Sequence, residues 1–210
     1  ARLRQADGLQ AAYVLEAELP FEKELSVIVA RRADGAMRAF PPAENVHVDG
    51  ILRTSIVPAR VPKETAEAVR LAESVAERFG TVGLLAVELF LLPDGAIVVN
   101  ELAPRPHNTG HYTLDAASTS QFEQFVRAVA HLPLGAVRLY SPVGMVNVLG
   151  EHLPRLMRRL WHLDPRVKVP LYGKAEARPR RKMGHVNIVA DSVEEARAMD
   201  VWEVVDCAGR

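Results

Sequence analysis

Apolar and polar positions along this chain change rhythm several times, and each change predicts an element. Lys23 to Arg32 carries Leu25, Val27 and Val29 in period two, which predicts a half-buried strand, and Ala11 to Leu19 predicts another. Asp34-Gly35 is a hairpin turn signal, because glycine tolerates the positive φ of a tight turn, and Ala36 to Phe40 is the returning strand. Pro41 to Gly50, crowded with Glu44, Asn45, His47 and Asp49, is predicted to be a loop, with a strand at Ile51 to Val57 and a break at Pro58 to Pro62.

Helical spacing follows. Lys63 to Phe79 places Val69, Ala72, Val75, Ala76 and Phe79 on one face, and Gly80 stands where a C-terminal cap belongs. Gly83 to Leu92 and Ala96 to Glu101 predict a hairpin over Pro93-Asp94-Gly95. Ser120 to His131 predicts an amphipathic helix turning Phe122, Phe125, Val126 and Val129 inward. Leu132 to Pro142, with two prolines and a glycine, is the best candidate boundary and divides the chain into segments 1–135 and 136–210. Beyond it the pattern gives strands at Gly144 to Leu149, Val167 to Tyr172 and Met183 to Val189. Helices are predicted near Leu153 to Leu160 and from Ser192. Antiparallel hairpins alternating with a few helices predict an α+β fold, without the regular βαβ alternation of a doubly wound sheet.

Composition narrows the function classes. With 49% hydrophobic residues, 210 positions can bury one good core and a small further module. Lys plus Arg and Asp plus Glu balance at 26 each, so net charge favours no partner, and the one dense basic run, Arg178 to Lys182, is too short for a nucleic-acid face. No run of 18 apolar residues and no hydrophobic signal core are present, which predicts a soluble, cytoplasmic protein without membrane or nucleic-acid partners. The single cysteine, Cys207, excludes an internal disulfide framework and a cysteine metal cluster.

Chemistry concentrates at Asn100-Glu101-Leu102-Ala103-Pro104-Arg105-Pro106-His107-Asn108-Thr109-Gly110-His111. Glu88 and Glu101 sit in apolar strands, where an unpaired carboxylate costs several kcal/mol or gives up its charge. A two-residue turn at Asp94-Gly95 would pair Glu88 with Glu101; a three-residue loop with a bulge would pair it with Asn100. Hard oxygen ligands of this kind suit Mg2+, and the competing reading is two solvated glutamates on an exposed face. Arg105 can clamp a carboxylate or phosphate, and His107 can exchange protons near neutral pH. A zinc site from His107 and His111 lacks the helical Glu, and the flanking prolines oppose a helix. Taken singly, Glu16, Glu24 and His47 read as surface residues, and Lys174, Arg178, Arg181, Lys182 and His185 as a solvated charge run or a phosphate patch.

The order of these motifs is more specific than any one of them. Glu16, Glu24-Leu-Ser26, Pro41-x-x-Glu44-Asn45-x-His47, Asp49-Gly-Ile-Leu52, Val87-Glu88-x-Phe90, the 100–111 run, Ser120-Gln-Phe-Glu123 and Arg181-Lys-Met-Gly-His185 follow in series. The series closely resembles the N5-carboxyaminoimidazole ribonucleotide synthases, ATP-grasp carboxylases of purine biosynthesis. That resemblance runs over essentially the whole chain.

It implies an ATP-grasp fold with a small C-terminal β-rich module, ATP and Mg2+ (or Mn2+) as cofactors, and bicarbonate and 5-aminoimidazole ribonucleotide as substrates of a homodimer. By resemblance, Glu16, Ala17, Glu18 and Leu19 form the strand that reads adenine, Glu24 accepts from the ribose and His47 touches the nucleotide. Glu88 and Glu101 hold the metal, with Asn100 beside the triphosphate. Arg105, His107 and Asn108 serve bicarbonate and its phosphorylated product, and Lys174, Arg181 and Lys182 hold the ribonucleotide 5′-phosphate. Thr109 replaces a usual Ser and keeps the hydroxyl; Arg180 replaces a usual Gly and puts the loop conformation in question. Family members also carry an N-terminal nucleotide-fold domain and a lid with a glycine-rich phosphate loop. Neither is found in this sequence, which begins at Ala1 without an initiating Met, and the expectation is a processed or truncated polypeptide inactive by itself. Two alternatives stand beside the carboxylase: a formate-dependent glycinamide ribonucleotide transformylase, and an inactive nucleotide-binding fragment.

Overall fold

A computed structural model describes residues 16–198. The strands are β1 (Lys23–Arg31), β2 (Met37–Ala39), β3 (Ala43–Val48), β4 (Ile51–Val57), β5 (Gly83–Leu91) and β6 (Ile97–Ala103). After them come β7 (Val143–Leu149), β8 (Val167–Lys168) and β9 (Lys182–Val189). The described residues build one antiparallel nine-stranded sheet in the order β6-β5-β1-β3-β4-β7-β9-β8, with β2 paired on β1. The helices are α1 (Thr65–Arg78), α2 (Thr113–Ala116), α3 (Gln121–Val129), α4 (Leu153–Arg159) and α5 (Val193–Ala198). The α+β fold class predicted from the hydrophobic pattern is the one observed.

Period-two alternation decides what each face of the sheet meets. Leu25, Val27 and Val29 of β1 join Leu85, Val87 and Leu89 of β5 under the Ala68, Ala72 and Ala76 stripe of α1. The small alanines let the helix approach closely. The intervening positions, Ile28, Ala30, Leu84 and Ala86, face the other way onto Phe40 and Phe125, so α3 covers this end of the opposite face. Farther along, Val146, Val148, Val186 and Ile188 pack beneath Leu156 of α4.

Several expectations need correction. Pro41 to Gly50 is not a loop: β3 runs through it, pairing with β1 and β4. Its polar side chains are paired within the sheet. Asn45 donates to Ser26 Oγ (3.0 Å) and accepts from Ser55 Oγ (2.7 Å), and the Glu44 carboxylate binds Lys23 and Arg60. Burial raises the Glu44 pKa, but hydrogen bonds from Arg60 and Lys23 outweigh it and hold the group below its ordinary value.

The helix predicted at 120–131 is shorter, and its inward face is different. Ser120 caps it by accepting from Glu123 N (3.1 Å), yet Phe122, Val126 and Val129 are exposed, while Gln121, Gln124 and Ala128 are buried. Each glutamine clamps the backbone N–H and C=O of one residue, Gln121 at His107 and Gln124 at Gly135, with distances of 2.7–2.8 Å. Two amides satisfied this fully can be buried at little cost. Phe79 is likewise exposed rather than inward.

Val167 to Tyr172 is a strand only at Val167–Lys168, with Leu171 bridging Gly184. Residues 16–19 are not in a strand, and the rest of the predicted 11–19 strand, with Cys207, lies outside the described residues. The helix from Ser192 is present as α5. Across the suggested boundary at 132–142 the sheet is continuous, because β7 pairs with β4 at Val57↔Val143 through Thr54↔Val146.

That continuity generates a test. Leu156→Ala is expected to cost about 2–5 kcal/mol, as for other buried leucines. Because β4 and β7 share a ladder, the loss should shift a single denaturant transition. A split into two transitions would show 136–198 to be an independent unit.

Candidate active site

Hairpin β5–β6 brings the two carboxylates together by an unexpected route. Leu91↔Ile97, Phe90↔Val98 and Leu89↔Val99 follow the three-residue loop, in which Gly95 has φ 85°. The register then shifts between Glu88 and Leu89, and Glu88 faces Glu101. Asn100 is the extra residue of this bulge, so the loop is the longer alternative and the pairing is the one predicted for the shorter. Glu88 is half-buried with its side chain 15% exposed, but Glu101 is exposed on the edge strand β6, so the burial penalty argued from sequence applies to Glu88 alone.

Glu88 Oε1 receives His107 Nε2 at 3.2 Å. That hydrogen bond is the largest influence holding the Glu88 pKa below its ordinary value; burial opposes it, and the charges of His107, His47 and Lys182 reinforce it. His107 is buried, and its Nδ1 lies 3.0 Å from Thr109 Oγ1, so the hydroxyl retained at position 109 orients the ring. The residues predicted from sequence line a single cavity of about 410 Å³: Glu24, His47, Glu88, Asn100, Glu101, Arg105, His107, Asn108 and Lys182. Glu24 Oε2 accepts from His47 Nδ1 (2.8 Å) and from the His47 backbone N–H (3.2 Å). An adjoining cavity of about 300 Å³ starts at Phe21, whose ring stacks on Phe90 at 4.3 Å.

Other predicted residues stand apart. Glu16, Ala17 and Glu18 are exposed and Leu19 is half-buried, before that second cavity begins. Of the three phosphate-clamp residues, only Lys182 lines the large cavity. Burial is the main cause lowering its pKa, followed by the charge of Arg105; Glu88 opposes both. Lys174 Nζ donates to the Lys182 carbonyl (2.6 Å), and Arg181 Nη1 to the Glu176 carbonyl (3.1 Å). Arg180 adopts φ 64°, the left-handed conformation for which a glycine would be the ordinary choice. Its N–H donates to Glu151 Oε2 (2.8 Å) and its guanidinium to the Asp49 carbonyl (2.9 Å). The substitution therefore keeps a glycine-like backbone and adds a tie to the β3–β4 turn.

Comparison with known proteins assigns the chain to a family. The ATP-grasp domain model matches residues 2–122, more than half of the chain. The chain belongs to the ATP-grasp family. Residues 144–199 match the phosphoribosylaminoimidazole carboxylase C-terminal domain. An N5-carboxyaminoimidazole ribonucleotide synthase of Bacillus subtilis is 48% identical over 198 residues, covering 93% of this chain and 52% of its own length. An ADP complex of an N5-carboxyaminoimidazole ribonucleotide synthetase superposes with a TM-score of 0.85 at 49% identity, over 90% of this chain and 51% of that one. The Aspergillus clavatus synthase in complex with ADP and 5-aminoimidazole ribonucleotide gives 0.83 at 34% identity, over 90% and 53%. The chain thus spans about half the length of the relatives it matches, and the resemblance stated from the motifs is the one these ATP-grasp relatives carry by name.

Among the described residues, no group of three or more His, Cys, Asp or Glu side chains converges as a metal cage, and no helix is long and apolar enough to cross a membrane. Two facing carboxylates beside an amide nevertheless fit Mg2+, which keeps waters and completes its shell with substrate phosphates.

Sequence reasoning missed Gln121 and Asn187 as supports of the site, and it grouped His185 with the basic run, whereas the ring supports His111. The signal was present: Gln121 and Gln124 interrupt the apolar stripe of α3. His111 stacks on His185 with ring centroids 4.6 Å apart, and Tyr172 Oη meets His185 Nδ1 at 2.9 Å. Burial, and for His111 also the charge of His185, pushes these pKa values down to about 3 for His111 and about 4 for His185. Both rings therefore take up protons in the unfolded chain first. Their contribution to stability should be full above about pH 6.5 and decline as pH falls toward 4, by up to about 1.4 kcal/mol per pH unit for each ring. Denaturant titrations from neutral to acid pH measure this, and His185→Gln should flatten the slope. A profile equally steep in that variant would assign the loss to other groups.

Proposed function

We propose that this chain is the metal- and acceptor-binding half of an ATP-dependent carbon–nitrogen ligase that carboxylates 5-aminoimidazole ribonucleotide, an N5-carboxyaminoimidazole ribonucleotide synthase. The observation that carries the reading is the convergence of Glu88, Glu101 and Asn100 with Arg105, His107, Asn108 and Lys182 on one cavity. Relatives solved with ADP and with 5-aminoimidazole ribonucleotide support it.

In this reading a bicarbonate oxygen attacks the γ-phosphorus of ATP and ADP leaves. The exocyclic amine of the ribonucleotide then takes the carboxyl carbon, releasing phosphate and a proton. Phosphoryl transfer asks a protein for positioning and charge compensation more than for covalent help. Mg2+, held by Glu88 and Glu101, would supply neutralisation of the phosphate oxygens. Arg105 offers a planar pair of donors to the carboxyl and phosphoryl oxygens at the cavity wall. His107 is tethered between Glu88 and Thr109, so it holds the metal carboxylate in place at the wall of the same cavity. Lys182, half-buried, carries positive charge toward the same space, and Glu24 with His47 lies where the ribose would be read. The intermediate carboxyphosphate is labile to water, so the reaction needs a site from which water is kept out. A homodimeric, cytoplasmic enzyme with Mg2+ or Mn2+ belongs to the same proposal.

Glu101→Gln in the full-length enzyme should lower bicarbonate- and 5-aminoimidazole ribonucleotide-dependent ADP release on the order of 100-fold, at least what loss of a metal site's supporting partner costs. The melting temperature should hold, because Glu101 is exposed. Wild-type turnover in the variant would remove Glu101 from the metal site. ADP release with formate in place of bicarbonate would redirect the acceptor assignment.

A further inference from the structure

Helix α3 turns apolar residues outward and buries Gln121 completely, and the reason lies in what Gln121 touches. Its Oε1 accepts the His107 N–H at 2.8 Å and its Nε2 donates to the His107 carbonyl at 2.7 Å. A backbone N–H can only donate and a carbonyl can only accept, so the amide has one possible orientation. The second Nε2 proton points at His111 Nδ1, 3.2 Å away. His111 Nδ1 must therefore be the unprotonated nitrogen, and the ring, neutral in its buried stack, carries its proton on Nε2. That nitrogen lies 3.1 Å from Asn108 Oδ1. Asn108 accepts there, which leaves its amide N–H group for the cavity that Asn108 lines.

We propose that Gln121 is a positioning residue that acts through His111 to fix Asn108 as a hydrogen-bond donor toward an anionic oxygen in the cavity. The backbone N–H and C=O of His107 set the polarity of the whole relay, and each step follows from the one before. Gly110 makes the approach possible, since a Cβ there would stand 2.7 Å from Gln121 Oε1 and 2.3 Å from Ile28 Cδ1. His111 is then a fixed conductor of polarity and not a proton-transfer base. Taking bicarbonate as the anion rests on the function proposed above; the relay itself does not.

Two measurements decide the matter separately. Long-range proton–nitrogen correlation spectra of histidine-labelled protein, with the His111 signal identified by its loss in His111→Phe, should show Nε2 protonated and Nδ1 bare at neutral pH. A proton on Nδ1 would overturn the relay whatever the substrate. In the full-length enzyme, His111→Phe keeps the ring and its stack but deletes both nitrogens, and should raise the KM for bicarbonate roughly 10- to 100-fold with a smaller change in kcat, the loss of one hydrogen bond to a charged group. Gln121→Glu should do the same by drawing the His111 proton to Nδ1, which reverses Asn108. Both effects should vanish in an Asn108→Ala background. Equal effects in both backgrounds would make Gln121 and His111 merely structural and sink the proposal. If wild-type enzyme shows no bicarbonate-dependent turnover, the reaction is wrong, and the spectra still decide the relay.

Discussion

A carboxylate held charged on the face of a largely buried sheet is the constraint around which this molecule is arranged. Glu88 sits on β5 between Val87 and Leu89, both fully buried on the opposite face, and a charge there survives only with partners. His107 is that partner, and its own position depends on Thr109 at one nitrogen and on Gln121 at its backbone. The sheet divides its labour accordingly. One face of β1 and β5 is dry beneath the alanine stripe of α1. On the other face Ser26 lies directly across from Glu88 and begins a buried polar row through Asn45 to Ser55.

That division explains which parts were legible in the sequence. The β5–β6 hairpin and the 100–111 run could be read because their signals are local: a turn triplet, alternation, and reactive side chains in one stretch. β3 reads as a loop because its sequence is polar, and its partners, Lys23, Arg60, Ser26 and Ser55, lie outside the stretch. The α3 face is hidden from the sequence for the same physical reason. Helical periodicity equates apolar with buried, whereas Gln121 and Gln124 are buried by clamping peptides that no local pattern reveals. Motif order supplies the candidate site residues, yet it cannot tell that Glu101 is exposed or that Lys174 and Arg181 hold backbone carbonyls while Lys182 reaches the cavity.

Continuity of the sheet carries information from the C-terminal strands to the site. β9 places Lys182 at the cavity, His185 against His111, and Asn187 in hydrogen bonds to the His111 carbonyl (3.1 Å) and to Asp115 (2.7 Å). The loop before it is tied through Arg180 to the turn between β3 and β4, whose strand also supplies His47. Site and module are thus fastened at several points along one strand.

The bulge at Asn100 has a consequence for how this hairpin can vary over time. Because one surplus residue in β6 offsets the three-residue loop, lengthening or shortening that loop by one residue would slide β6 and set Glu88 against a different neighbour. A lineage could then keep the facing carboxylates only by gaining or losing the bulge in the same step. Loop length and bulge behave as one inherited unit, and the tip of this exposed hairpin, ordinarily the freest place for an insertion, is among the least free.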